Sequence, residues 1–111
     1  MHVRAALILL IAAPLAACGS SSSKEADTTR SATVDIASFK YKPAVIAVKR
    51  GGRVRWTNSD SAAHTSTADD RSFDTQTIDK GKTRMVTMTT AGTVPYHCDF
   101  HPFMKATVVV E

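Results

Sequence analysis

Four side chains could together do chemistry that none does alone: His64, Cys98, His101 and Met104 offer two imidazoles, a thiol and a thioether. The last three fall within the run Tyr96-His97-Cys98-Asp99-Phe100-His101-Pro102-Phe103-Met104, in a Cys-x-x-His-x-x-Met spacing, and His64 lies far upstream. A trigonal His-His-Cys set with a weak axial Met is the donor set of an electron-transfer copper site. Thiolate and thioether favour Cu(I), while imidazole serves both oxidation states, so the chemistry is one-electron exchange with little ligand rearrangement. Singly, each residue has an ordinary explanation: His64 a solvated loop histidine, Met104 a core residue, Cys98 a small buried hydrophobe. The combination is more specific. Cys98 ends an expected strand, so His101 and Met104 sit on a loop that curls back over it, and His64 completes the set from across the fold. Pro102 stiffens the loop after His101. His97 precedes Cys98 on the strand, so it points to the opposite face and is not expected to ligate.

The elements that must hold these donors read as strands, because no stretch sustains a helical period. Thr33 to Ala37 alternates and gives a first strand, and Ala44 to Lys49 a second. Gly51-Gly52 reads as a turn, after which Arg53-Val54-Arg55-Trp56-Thr57 alternates cleanly. Val54 and Trp56 should face the core, and Arg53, Arg55 and Thr57 water. Asn58 to Asp70 is a polar loop carrying His64, and Phe73 and Ile78 lie in a short strand or irregular connection. Further strands follow at Thr83–Thr89, Thr93–Cys98 and Lys105–Val110. Short strands set too close for helical crossovers predict an all-β, antiparallel sandwich over about residues 32–111. A core of that size is marginal alone, and a bound metal would add to its stability.

The preceding residues read as an address label. Residues 1–17 have a short basic start, an apolar run from Ala5 to Ala13, and Leu15-Ala16-Ala17 before Cys18. This is similar to a bacterial lipoprotein signal, in which Cys18 is lipid-modified and becomes the first mature residue. The alternative is an ordinary secretory signal cut after Ala17, and either reading exports the chain. Residues 18–31, rich in serine and almost without apolar side chains, predict a flexible tether. Lipid on Cys18 would leave Cys98 without a disulfide partner, and a lone thiol in an oxidising compartment calls for an occupant such as a metal. The formal net charge is +4, and loss of Arg4 with the leader lowers it to about +3. Lys49, Arg50, Arg53 and Arg55 cluster without interleaved aromatics, which argues against nucleic-acid binding. Together with Lys40 and Lys42 they could steer an acidic partner or simply form a solvated face.

On these residues the domain resembles the cupredoxins, the blue copper family that includes plastocyanin, pseudoazurin and amicyanin. The likeness takes in Phe39, Pro43, Val45 and Val48 before Gly51-Gly52, then Val54-x-Trp56-x-Asn58, His64, Phe73-Asp74, and Tyr96-His97-Cys98 onward. The ligand loop is most similar to the short loop of amicyanin. The resemblance implies a Greek-key β-sandwich with one type 1 copper ion, its equatorial ligands His64, Cys98 and His101 and its axial ligand Met104. Two positions depart from the family pattern. Thr65 stands where many relatives have an Asn that ties the ligand loops together, so its hydroxyl or another group must remake that tie. Phe100 stands where amicyanin-like loops often have Pro, and its backbone N–H could donate to the Cys98 sulfur.

The expected function is a membrane-tethered, monomeric electron carrier on the outer face of a bacterial membrane, in the periplasm or at the cell surface. It would meet transient redox partners such as a cytochrome, oxidase or dehydrogenase, and would not be an enzyme. Phe100, Pro102 and Phe103 should surround His101 as an apolar patch suited to brief encounters, unless Phe103 is core. A copper carrier or scavenger could use the same ligands. A copper oxidase or reductase would need more histidines than the four in the chain. A cysteine hydrolase would need an oxyanion hole or orienting group that no motif suggests.

Overall fold

The computed structural model describes residues 29–111; the expected leader, the lipid-bearing Cys18 and most of the tether lie outside the described residues. Among the described residues seven strands form in chain order: β1 Thr29–Ala37, β2 Lys40–Lys42, β3 Val45–Asn58, β4 Thr67–Ala68, β5 Thr83–Thr87, β6 Gly92–His97 and β7 Lys105–Val110. No helix occurs among the described residues. The first strand starts at Thr29, ahead of the expected domain edge at residue 32.

β3 organises the rest. Its apolar positions alternate on both sides of Gly51-Gly52, as expected, but the chain bends there instead of reversing. Gly51 has φ 86, in the left-handed region. At Gly52 a Cβ would lie 2.7 Å from the Arg30 carbonyl oxygen and 2.8 Å from that of Lys49. The bend lets one strand serve two layers. Val45–Val48 pairs with β7, while Arg53–Asn58 pairs with β1 and β5. The hydrogen-bonded order is β2-β1-β3-β7-β6-β4, with β5 also on β3, and the sheet folds over at the bend into a sandwich.

The β1–β3 and β3–β7 ladders are parallel and the others antiparallel, so a wholly antiparallel arrangement is corrected. The cause is β2. This three-residue strand reverses the chain after β1, and β3 then reverses it again, so β1 and β3 run together without a helical crossover. The turn between β1 and β2 places two successive non-glycine residues, Ser38 and Phe39, at φ 54 and 57. Such a turn suits a twisted hairpin but is uncommon without Gly or Asn. Its backbone N–H groups are held by the Asp60 carboxylate, at 2.7 Å from Ser38 and 2.9 Å from Phe39.

Val34, Ile36, Val48, Val54, Trp56, Ile78, Tyr96 and Val108 are fully or almost fully buried between the layers. Trp56 and Tyr96 meet edge-on at 5.6 Å, and the indole N–H donates to the Tyr96 hydroxyl at 3.2 Å. Phe73 stacks on Trp56 at 5.5 Å, and Tyr41 meets Tyr96 at 4.7 Å. These rings join β2, β3 and β6 across the core and form the floor under the loops that carry the candidate donors.

Gly52→Ala is expected to cost about 1–3 kcal/mol, because the new methyl would press on two backbone carbonyls that cannot swing away. The melting temperature of the metal-free chain should fall by roughly 4–8 °C for each kcal/mol lost.

Candidate metal centre

His64 is held from three directions. Its N–H donates to the Ile78 carbonyl at 3.1 Å, and the Ile78 N–H donates back at 2.7 Å. Asn58, buried at the end of β3, frames the loop by donating its side-chain amide to the Ala62 and Ile78 carbonyls, each at 2.8 Å. The Asn58 amide oxygen accepts the Asp60 N–H at 2.9 Å, which positions the Asp60 carboxylate 2.9 Å from His64 Nε2. A proton on Nε2 is thereby fixed, and the lone pair of Nδ1 is left for the site. Burial opposes ionisation of Asp60, but the Phe39 N–H, the His64 ring and the Ser38 N–H outweigh it and hold the carboxyl below its ordinary range.

Cys98 is fully buried just past the end of β6 and has no disulfide partner among the described residues. Its Sγ lies 3.8 Å from His64 Nδ1 and 3.6 Å from His101 Nδ1. One donor atom from each of these residues lies within 4.8 Å of the others, and no other His/Cys/Asp/Glu group among the described residues converges in this way. The loop beyond Cys98 closes on itself through its backbone. Cys98 N–H donates to the Met104 carbonyl at 3.2 Å, Met104 N–H to the His101 carbonyl at 2.9 Å, and His101 N–H to the Cys98 carbonyl at 3.3 Å. Cys98, His101 and Met104 are therefore joined through their backbones in a ring of hydrogen bonds, with Met104 buried and His101 half-buried.

Thr65 joins the two loops, as its position required. Its hydroxyl accepts the Asp99 N–H at 2.9 Å and pairs with the Thr67 hydroxyl at 2.9 Å. Its backbone N–H points at the Cys98 sulfur at 3.4 Å, and its carbonyl accepts the Tyr41 hydroxyl. Burial, followed by the nearby Cys98, pushes the Tyr41 phenol well above its ordinary range and keeps it a donor. The backbone donor to the sulfur is thus Thr65, not Phe100. The Phe100 N–H makes no bond to the sulfur, because the tight turn from Cys98 to His101 spends its geometry on the His101 N–H.

His97 stays outside the donor group. Its Nδ1 meets Asp69 at 2.5 Å and its Nε2 meets Asp99 at 2.9 Å, and Arg71 reaches Asp99 at 3.3 Å. Asp69 raises the His97 pKa against the opposing effect of partial burial, with Asp99 adding to the rise. Around His101 the apolar patch is larger than expected. Phe39 packs edge-on against His101 at 4.9 Å and against His64 at 5.3 Å, and Phe103 meets His101 at 6.0 Å. Phe103 is 70% exposed, which excludes a core role, and Phe100 is 52% exposed. Phe39 was legible only as part of the family likeness. The local hint, the Lys40-Tyr41-Lys42 alternation behind it, is three residues long.

The donor set fits a soft-to-borderline ion. A buried sulfur faces two imidazole nitrogens with no carboxylate among them, which disfavours calcium or magnesium and favours copper over zinc in intrinsic affinity.

Thr65→Val removes the acceptor of the Asp99 N–H and is expected to cost about 1–3 kcal/mol in urea unfolding of the metal-free chain, with Thr65→Ser recovering most of it. For His97 the folded pKa is raised, so its contribution is fully present below the unfolded value near pH 6.5 and is lost as pH rises through the folded value. The melting temperature of the metal-free parent, minus that of His97→Gln, should therefore shrink across that rise.

The cupredoxin-like domain family matches residues 7–110. Amicyanin of Paracoccus denitrificans is 36% identical over 83 residues, covering 70% of this chain and 63% of that protein. Amicyanin-alpha of Methylorubrum extorquens is 30% identical over 112 aligned positions, 96% of this chain and 94% of that one. A reduced amicyanin variant superposes with a TM-score of 0.67 at 34% identity, over 73% of this chain and 82% of that one. A purple cupredoxin from Nitrosopumilus maritimus gives 0.68 at 24% identity over 72% and 99%, a likeness of fold alone. With a two-layer β-fold, a buried thiol between two imidazoles and a family match across nearly its whole length, the chain belongs to the cupredoxins.

Proposed function

We propose that this chain is a one-electron carrier for a single type 1 copper ion, which His64, Cys98, His101 and Met104 would hold. The observation that carries the reading is the Cys98 sulfur lying 3.8 and 3.6 Å from the two Nδ1 atoms, buried and already held by hydrogen bonds. Copper bound there supplies a Cu(I)/Cu(II) couple. The residues of the chain do the rest: Asp60 and Ile78 fix His64, the loop's hydrogen-bond ring fixes Cys98 and His101, and the Thr65 N–H draws electron density from the sulfur.

His101 is the half-buried member of the set, and it is bordered by the exposed rings of Phe39 and Phe103. Such a patch excludes water and fits brief contact with a redox protein such as a cytochrome, an oxidase or a dehydrogenase. The carrier is not an enzyme in this reading and works as a monomer. It is exported, with Cys18 lipid-modified and residues 1–17 removed, and stands tethered to the outer face of a bacterial membrane through residues 18–31, of which the last three begin β1.

A copper carrier would use the same donors, but the number of bonds holding His64 and Cys98 favours retention of the ion through redox cycles. The copper-loaded oxidised chain is expected to show the intense visible absorption and narrow copper hyperfine splitting of a thiolate site, and Cys98→Ser to lose both. Repeated reduction and reoxidation beside a Cu(I) chelator should leave the absorption intact. A colourless copper complex sinks the proposal, and steady loss of copper to the chelator gives the site to metal transfer.

A further inference from the structure

The outer face of β1, β3 and β5 carries a groove lined by Arg30, Ser31, Thr33, Arg53, Arg55 and Met85. Strand register builds it. Ser31 stands beside Arg53 and Thr33 beside Arg55, and Arg55 in turn pairs with Met85. Since Val54 and Trp56 must face the core, Arg53 and Arg55 are forced outward on the same face. Among the described residues no carboxylate lines the groove, and the ion pairs formed involve Asp60, Arg71 and His97, not these arginines. The Arg53 and Arg55 guanidiniums share one open face, Arg30 lines the same groove, and these like charges repel one another until an anion is supplied.

We infer that this arginine groove is a docking surface for the phosphate headgroups of an anionic bilayer. Guanidinium forks match phosphate oxygens two at a time, and the Ser31 and Thr33 hydroxyls add donors between them. Met85, 46% exposed, supplies an apolar side chain at the same surface. The place where the chain enters the domain selects a membrane over an acidic protein. Arg30, the second residue of β1, lines this groove, and the eleven chain steps from Thr29 back to Cys18 can span at most roughly 40 Å. That choice rests on the anchoring of Cys18 proposed above. It also has a geometric consequence. From Thr33, the last groove residue on β1, the strand runs four more residues, about 13 Å, to Ala37 near Phe39, so docking here leaves the Phe39–His101–Phe103 patch at the strand's other end for a redox partner.

The test separates the groove from the anchor. The chain from residue 18 onward, carrying Cys18→Ser and hence no lipid, is titrated with vesicles of three parts phosphatidylcholine to one part phosphatidylglycerol. Binding is expected at low salt, with little on pure phosphatidylcholine and little in roughly 0.5 M salt. The triple change Arg30→Gln, Arg53→Gln and Arg55→Gln should weaken it by roughly a hundredfold, at about fivefold per arginine, with the melting temperature and visible spectrum unchanged. Equal binding by parent and triple variant, or equal binding to both vesicle types, overturns the proposal. So does arginine-dependent binding to polyglutamate with none to vesicles, which would give the face to an acidic protein. Lipid on Cys18 is read separately, from the mass of the full chain isolated from cells.

Discussion

The structure turns on one buried sulfur that must face two imidazoles arriving from different parts of the chain. Cys98 and His101 are neighbours in sequence, and three backbone hydrogen bonds make their relation to Met104 a local matter. His64 is the distant member, and buried groups on both sides of it bring it to the sulfur. Asn58 spans the loop before it, Ile78 pairs with it, and Thr65 immediately after it grips both the Asp99 N–H and, through its own N–H, the sulfur. Buried polar groups are costly unless paired, so each of these bonds also makes alternative loop conformations unfavourable.

This cage needs a rigid floor, and β3 supplies it. The bend at Gly51-Gly52 allows a single strand to hold β7 with one half and β1 and β5 with the other. The far end of that strand places Trp56 under the site and Asn58 at its edge. Packing from the Trp56–Tyr96–Tyr41 rings therefore reaches the Thr65 carbonyl through the Tyr41 hydroxyl without leaving the buried interior.

Alternation was enough to orient Arg53, Val54, Arg55 and Trp56, because a half-buried strand writes its face into every second residue. Residue type and spacing were enough to group Cys98, His101 and Met104, and the loop's short span brings them together. Three features escaped local reading. β2 is too short for a period to register, and with it went the parallel direction of β1 and β3. The glycine pair reads the same whether it reverses a chain or bends one, and only the Arg30 carbonyl packed against Gly52 decides between them. The partner of the sulfur depended on which backbone N–H the folded loops left over, so Phe100 was the nearer candidate in sequence and Thr65 the actual one in space.

Asp60 has a further consequence, since one carboxylate holds the backbone of Phe39 and the outer nitrogen of His64 at once. The Phe39 ring in turn rests against both imidazoles. An exposed contact residue and the two nitrogen donors thus share a single mechanical support. A protein pressing on that ring would meet a surface braced from beneath, and a metal held by those nitrogens would find their positions already set by the scaffold.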